Sequence, residues 1–175
     1  MPSEEELEFR SQDVNIPESD SLPMVEPVNP TSSPLRARVE IMSHEGKKGQ
    51  EDGFVLFEQL GDETKVSGVI SGLSEGSFGL YVHELGNLQD GCNSTGGHYN
   101  PRGERYGEDM EMIDDGDLGN FEAGNLGFAI IENVVHDLDL AGPYSIIGRT
   151  VVVHANEGYG EGSRVACGVI GTLQL

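Results

Sequence analysis

Apolar and polar residues alternate in short stretches along the chain, with the period of two that places one face of a β-strand in a core. The stretches that alternate best are 37–41, 54–57, 66–70, 80–83, 121–123, 126–131, 150–154 and 166–173. No window of about a dozen residues keeps a helical period between two caps. About eight short strands joined by turns predict an all-β domain, an antiparallel sandwich or flattened barrel.

The segment 85–118 is too long for an ordinary turn, and it shows almost no apolar periodicity. Connections in compact domains are mostly about 4–6 residues long, and much longer ones without secondary structure of their own are usually functional. We therefore expect this segment to carry part of a site.

The first 35 residues differ in composition from the rest of the chain. They contain eight acidic residues against the single base Arg10, and six of the eight prolines. Such a segment buries too little apolar surface to offset the entropy of ordering it, so we predict a disordered acidic arm over 1–35 and one domain over 36–175. The arm is either a solubilising tail or a partner-binding segment that uses apolar residues such as Met24 and Val25.

Acidic residues outnumber basic residues 31 to 10, which gives a formal net charge of −21. The domain 36–175 keeps 23 acids and 9 bases, a net −14. A surface of this sign repels nucleic acid and anionic membranes, which we therefore exclude as partners. The sequence as written has neither a membrane span nor a secretory leader, so it predicts a cytoplasmic protein, or an extracellular one if the N-terminus is incomplete or processed.

Three histidines lie near predicted strand ends or in the long segment: His83, His98 and His154. A histidine in a β protein is more often an ordinary surface or core residue than a ligand. Tyr81 and His83, however, lie two apart on a predicted strand, so both side chains point to one face. His98 follows two glycines, which let the backbone approach closely. His44 and His136 lie in hydrophilic segments with nothing to converge on.

Residues 79–86, which read GLYVHELG, resemble the copper-loading signature GFHVHEFG of the copper/zinc superoxide dismutases. The resemblance continues in the family's order through 90–101, 116–120, 148–154 and 162–171, and so covers nearly all of the predicted domain. It implies an eight-stranded antiparallel Greek-key barrel with one long loop that carries a disulfide and metal ligands. It also implies an enzyme that converts superoxide to oxygen and hydrogen peroxide.

The copper site that the resemblance implies is incomplete in this chain. Three of the family's four copper histidines match His83, His98 and His154, and His98 matches the residue that bridges copper and zinc. Tyr81 stands where the family has the fourth. An imidazole suits copper in either redox state, whereas a phenol binds well only as phenolate and favours Cu(II). Copper is therefore the expected cofactor, in a weakened site.

The zinc site that the resemblance implies is altered further. His98 and Asp117 match family ligands, but Tyr106 and Asp114 stand at the positions of the two remaining zinc histidines. Zinc takes four ligands and prefers nitrogen or sulfur in structural sites, so zinc binding is doubtful. The acidic residues nearby suggest a hard cation such as calcium, or else a solvated acidic loop, which their spacing favours. They are Glu108, Asp109, Glu111, Asp114, Asp115 and Asp117.

Arg164 matches the arginine that guides superoxide beside copper in the family, and it is our candidate catalytic residue. The alternative is a structural role in which its guanidinium binds loop carbonyls. Only residues 155–163 separate His154 from Arg164, where the family usually has a longer loop whose charges steer superoxide. Members that bind copper alone also lack this loop and the zinc ligands, but they keep the histidine that is Tyr81 here.

Cys92 and Cys167 are the two cysteines of the chain, and from their number and spacing alone they are either separate buried residues or a pair. The resemblance implies that they form the family's intrasubunit disulfide. In the chain-entropy model, closing a loop of about 75 residues stabilises a fold by roughly 4 kcal/mol.

Three hypotheses of function follow. The first is a superoxide dismutase relative that is impaired or inactive, because its fourth copper histidine, zinc ligands and steering loop are altered. The second is a working dismutase that cycles copper on His83, His98 and His154. The third is a non-enzymatic copper-binding protein, or a scaffold that pairs with a true dismutase subunit. In each case the family resemblance also predicts pairing, as a homodimer or as a heterodimer with another dismutase subunit.

Overall fold

A computed structural model describes residues 33–44, 46, 50–103, 105–106, 112–155 and 162–173, and of residues 105–106 and 112–113 it describes the backbone. The acidic arm that the sequence predicts over 1–35 lies almost entirely outside these residues, so it stays a prediction. The described chain from Ser33 onward forms one compact unit. No helix within it is long and apolar enough to cross a membrane.

Strands dominate the described residues and run in the following order. They are β1 (Leu35–Ser43), β2 (Asp52–Leu60), β3 (Glu63–Ser71), β4 (Gly76–His83), β5 (Gln89–Cys92), β6 (Arg105–Tyr106), β7 (Met112–Ile113), β8 (Asp117–Ala123), β9 (Phe128–His136), β10 (Thr150–Ala155), β11 (Arg164–Val169) and β12 (Gly171–Thr172). Each stretch that alternates in the sequence lies in one of the long strands or overlaps it. The single helical turn described, Asn93–Thr95, has three residues.

The long strands form a nearly closed antiparallel barrel of eight strands, which confirms the predicted fold class. Their order around the sheet is β8, β4, β10, β11, β1, β2, β3 and β9, with β12 paired to β1. The two end strands approach each other where Asn133 Nδ2 donates a hydrogen bond to Leu118 O at 3.0 Å. A closed arrangement leaves few unpaired strand edges.

The inward faces of these strands build one hydrophobic core. In β1 the buried positions are Ala37, Val39, Ile41 and Ser43, every second residue. The largest fully buried side chains of the core include Phe57, Ile41, Ile70, Leu80, Leu118, Leu138 and Ile146. Burial of an aliphatic or phenyl side chain of this size contributes about 1.5–3 kcal/mol. This core makes the barrel a rigid support for the side chains at its rim.

The segment 85–118 contains more regular structure than its lack of periodicity predicts. It includes β5, the turn Asn93–Thr95, the small hairpin of β6 and β7, and the start of β8. Strands of two to four residues are too short to show an alternation in sequence. Backbone hydrogen bonds fasten the segment to β4, from Tyr99 N to Val82 O at 2.8 Å and from Glu84 N to Gly97 O at 3.0 Å.

Arg102 fastens the middle of the same segment to the connection between β9 and β10. Its guanidinium donates hydrogen bonds to Asp137 O and to Asp139 Oδ2, both at 2.7 Å. Asp115 Oδ2 lies 3.4 Å from the same guanidinium, and the Asp115 side chain is only 2% exposed. The guanidinium also lies over the ring of Tyr144. We identified none of these contacts from the sequence, because the partners lie 13 or more positions away along the chain.

Candidate metal centre

Three structural elements bring His83, His98 and His154 together. His83 ends β4, His154 lies near the end of β10, and His98 lies in the long segment, opposite His83 in an isolated β-bridge. A register shift between Val153 and His154 interrupts the pairing of β10 with β11, and such a bulge redirects the side chains beside it. One ligand atom from each histidine lies within 4.8 Å of the others. Among the described residues, this is the group of histidine, cysteine and carboxylate side chains that could hold a metal ion.

Backbone carbonyls fix the orientation of the two most buried imidazoles. His83 Nδ1 lies 3.0 Å from Gly96 O, and His154 Nδ1 lies 2.9 Å from Gly162 O. Because a carbonyl oxygen only accepts, each ring carries its proton on Nδ1. Gly96 has a φ of +79°, and a β-carbon there would fall 2.9 Å from Glu84 Oε2, so glycine suits this position.

The inward nitrogens of these two rings are placed to bind a cation. His83 Nε2 and His154 Nε2 lie 3.0 Å apart, and each presents a lone pair because its ring proton is on Nδ1. Burial lowers the pKa of His83 to about 3 and also lowers the pKa of His154, so at neutral pH a proton does not fill this role. A metal ion held by these nitrogens would fill it, and three imidazole nitrogens are donors that copper accepts.

His98 is oriented by a side chain instead of a carbonyl. Its Nδ1 lies 2.9 Å from Asp114 Oδ2, and its side chain is 18% exposed. His83 and His154 are 0% and 3% exposed. Of the three imidazoles, His98 therefore lies nearest to solvent.

Tyr81 packs against the histidines on the same face of β4. Its ring stacks on the ring of His98 with centroids 4.2 Å apart, and it meets the ring of His154 edge-on at 5.4 Å. The tyrosine is 4% exposed. A β-carbon at Gly79 would fall 2.6 Å from Tyr81 Cε2, so glycine at this position makes room for the phenol.

Among the described residues, those that match zinc ligands do not form a second group of side chains placed to hold a metal ion. Asp117 Oδ1 accepts a hydrogen bond from Gly119 N at 2.8 Å, and burial raises the pKa of Asp117. The side chain of Tyr106 lies outside the described residues, as do Glu108, Asp109 and Glu111 of the acidic cluster. Within the described part of the chain, the donor set does not fit zinc.

Arg164 binds loop carbonyls beside the three histidines. Its guanidinium donates hydrogen bonds to Cys92 O and Gly96 O, both at 2.8 Å, and to Thr95 Oγ1 at 3.0 Å. Its NH1 also lies 3.5 Å from Asn93 O. The same Gly96 carbonyl accepts the Nδ1 proton of His83, so Arg164 supports the orientation of that ring.

A disulfide joins the long segment to β11, as the family resemblance implied. Cys92 and Cys167 are bonded, with Cα atoms 5.8 Å apart. Cys92 N donates a hydrogen bond to His44 Nδ1 at 3.1 Å, so our expectation that His44 has nothing to converge on was wrong. The sequence carries no periodic signal for this contact, because the partners lie 48 positions apart along the chain.

A barrel that holds three converging imidazoles and a disulfide-anchored loop defines a class of metalloproteins. The family described as "Copper/zinc superoxide dismutase (SODC)" matches the chain over residues 51–170. An extracellular Cu-Zn superoxide dismutase of Onchocerca volvulus is 42% identical over 138 residues, which cover 68% of this chain and 69% of the relative. A solved structure described as the clock protein EA4 is 34% identical, with a TM-score of 0.68, and the match covers 81% of this chain and 97% of that one. The chain belongs to the copper/zinc superoxide dismutase family.

Proposed function

We propose that this protein binds copper at His83, His98 and His154, and that its dismutation of superoxide is weak or absent. The observation that carries the proposal is the position of Tyr81, whose ring stacks face to face on His98 at a centroid distance of 4.2 Å. It stands where the family has its fourth copper histidine.

The stacked geometry argues against the phenol as a direct substitute for an imidazole. A metal ion bound by an imidazole nitrogen lies close to the plane of that ring, along its lone pair. The Tyr81 ring is inclined by only 15° to the plane of His98 and is displaced from it by the stacking distance. The ring of Tyr81 therefore forms a wall beside the donors, and three nitrogen donors remain.

A set of three imidazoles has consequences for the redox chemistry. Bound copper would supply one-electron exchange with superoxide, and dismutation needs that exchange in both directions. Imidazole is an acceptable ligand for copper in either redox state. A low coordination number and a buried, neutral set of donors, however, suit Cu(I). Loss of one nitrogen donor thus favours storage of one redox state over cycling.

The charge of the chain also argues for weak dismutation of superoxide. Superoxide is an anion, and a chain of net charge −21 repels it over distances up to roughly the Debye length of about 8–10 Å. The guanidinium of Arg164 is a local positive charge, but it donates to two carbonyls and one hydroxyl. Its hydrogen bonds support a structural role, and its charge supports a modest guiding role.

The deciding experiment compares the copper-loaded parent protein with Tyr81→His. Metal content per chain and superoxide consumption are measured together on both proteins. We expect stoichiometric copper in both, and superoxide turnover that rises by roughly tenfold or more in the variant, a barrier difference of about 1.4 kcal/mol. Rapid turnover by the parent would instead establish the second candidate, a working dismutase on three imidazoles.

Tyr81→Phe is the matched control, because it keeps the stacked ring and removes only the oxygen. If the phenol packs as a wall, the visible spectrum of the Cu(II) form stays the same in this variant. Loss of a charge-transfer band on removal of the oxygen would show that Tyr81 is a ligand. Failure of the parent and of Tyr81→His to bind any copper would leave a scaffold role.

We further infer an extracellular location, in preference to the cytoplasmic one that the N-terminal sequence predicts. The relative from Onchocerca volvulus is named an extracellular enzyme, and disulfides persist in oxidising compartments. The bond between Cys92 and Cys167 suits such an environment. Immunodetection in secreted and in cell-internal fractions of the source organism tests the location, and detection only inside cells would contradict it.

Pairing of the chain with a second copy or with another dismutase subunit stays a prediction from family membership. Light scattering on the purified protein measures the mass that decides between a monomer of 18.8 kDa and a dimer.

A further inference from the structure

Four neighbouring strands, β1, β2, β3 and β9, turn one continuous face away from the core. Side chains alternate between the two faces of a strand, so this face carries the residues that lie between the buried positions. The strand registers place sixteen of them in four rows across the sheet. Read from β1 to β9, the rows are Met42, Asp52, Ser71 and Phe128, then Glu40, Phe54, Val69 and Ile130, then Arg38, Leu56, Ser67 and Glu132, and last Arg36, Glu58, Lys65 and Val134. We call these residues the four-strand face.

Apolar side chains form a connected strip on the four-strand face. Phe54, Val69 and Ile130 are register neighbours on three successive strands. Val69 is 39% exposed, Ile130 67% and Phe128, in the adjoining row, 44%. The guanidinium of Arg38 lies 4.3 Å from the centre of the Phe54 ring. Exposed apolar residues that lie singly are ordinary, but a connected group of them marks an interaction surface.

The charges of the four-strand face almost cancel. It carries three bases and four acids, and 3 minus 4 gives a net −1. Six of these seven residues form ion pairs within the face, namely Arg36 with Glu58, Arg38 with Glu40 and Lys65 with Glu132. The domain 36–175 as a whole carries a net −14. Two such acidic molecules repel each other least where the facing surfaces are close to neutral.

The four-strand face is also complementary to itself. A two-fold axis in the plane of contact, parallel to the strands and between β2 and β3, sets β1 of one copy over β9 of the second, and β2 over β3. Each row then meets the same row of the second copy, so Arg38 faces Glu132 of the second copy. By the same operation Glu58 faces Lys65, Phe54 faces Val69 and Met42 faces Phe128. No facing pair in the four rows brings like charges together.

We propose that two copies of this chain pair through the four-strand face about this axis. Four strands about 4.8 Å apart and seven residues of about 3.4 Å each give a contact of roughly 450 Å² on each copy. Contacts at the small end of the range for protein interfaces belong to reversible associations, so we expect a dimer that dissociates on dilution. The proposal does not rest on copper binding, because none of the sixteen residues belongs to the metal centre. It names a surface for the pairing that family membership predicts without one.

A covalent cross-link tests the axis on the metal-free protein. Within one chain, positions 38 and 132 lie three strand spacings apart, roughly 14 Å, whereas stacked sheets lie about 10 Å apart. The double variant Arg38→Cys, Glu132→Cys is treated with a thiol-reactive cross-linker that spans the shorter distance only. We expect a covalent dimer from the double variant and none from either single variant, while the bonded Cys92 and Cys167 do not react. Equal cross-linking of a single variant, or none of the double variant, would overturn the proposed axis.

Sedimentation of the metal-free protein over a range of concentrations tests the face. Ile130→Glu places a carboxylate opposite Glu40 of the second copy, and like charges in an interface should raise the dissociation constant at least about tenfold. Val169→Glu is the matched control, because it makes the same change in charge at a residue of β11 that is 38% exposed and lies outside the face. We expect it to change the dissociation constant less than about twofold. Circular dichroism checks that both variants are folded.

Exchange of charges on the same face provides a rescue. Glu132→Arg alone sets two bases against each other across the axis and should weaken pairing up to about fivefold. Adding Arg38→Glu restores opposite charges and should recover most of the loss. A double variant no better paired than the single variant would contradict the arrangement. A parent that stays monomeric up to about 1 mM, or a dimer that Val169→Glu disrupts and Ile130→Glu does not, would overturn the proposal as a whole.

Discussion

The two sides of the His98 ring differ in the structural elements and the contacts that form them. On the inner side, His83 and His154 belong to paired strands, are almost fully buried and are oriented by backbone carbonyls. On the outer side, carboxylates on a long connecting segment take part, and their contacts are made by side chains. A strand position is fixed by the register of the whole sheet, whereas a loop position depends on a few local contacts. By the family resemblance, the inner side matches three of the four copper histidines with Tyr81 at the fourth position, whereas the outer side matches only two of the four zinc ligands, His98 and Asp117.

Removal of His98, which lies between the two sides, should have the largest effect, a loss of copper affinity. His98→Ala takes away one of three nitrogen donors, so copper affinity should fall by more than the roughly 100-fold that loss of an outer partner costs. The folded state should persist, because the His98 side chain is partly exposed and belongs to the loop. Chelator competition measures the affinity, and circular dichroism checks the fold. An affinity within tenfold of the parent would show that two histidines suffice.

Loss of the disulfide should weaken the outer side and the whole fold together. The double variant Cys92→Ser, Cys167→Ser opens a loop closed over 75 positions, and the chain-entropy model gives a loss of about 4 kcal/mol. The free energy of unfolding, measured by urea titration without reductant, checks this value. The parent measured with reductant is the matched comparison. Equal stability of parent and variant would mean that the bond does not support the loop.

Substitution of Arg102 should produce a smaller effect confined to the outer side. Arg102→Met keeps the aliphatic stem but leaves the buried carboxylate of Asp115 without its cation, which costs about 2 kcal/mol. The double variant with Asp115→Asn should recover part of that loss. Thermal unfolding measures both, and copper affinity should stay unchanged. A marked drop in copper affinity would mean that the two sides of His98 are coupled through the loop.

The barrel could be predicted from sequence because its strands are long enough to alternate. Residues 37–41 and 66–70 show the period of two on which β1 and β3 are built. The hairpin of β6 and β7 has two residues on each side, so no period exists to detect. Alternation also broke down at Asn133, whose side chain bridges to β8 instead of entering the core.

For the candidate site, the sequence could predict which histidines take part but not how their surroundings are arranged. Family resemblance picked out His83, His98 and His154, and the structure brings them together. It could not show that Tyr81 stacks on His98, or that Asp114 faces the outer nitrogen, since both follow from three-dimensional packing. His44 was misjudged for the same reason.

The pairing of β10 with β4 links the metal site to the assembly of the barrel. His154 faces His83 only when β10 has paired with β4 in the register that sets Thr150 against His83. An incompletely assembled chain therefore lacks the donor set, so copper held as proposed would bind the finished barrel alone. At a free copper concentration 100 times the dissociation constant, such selective binding adds about 2.7 kcal/mol to the stability of the native state. If copper binds as proposed, its supply in the compartment would help to set the lifetime of this protein, whatever its rate of turnover.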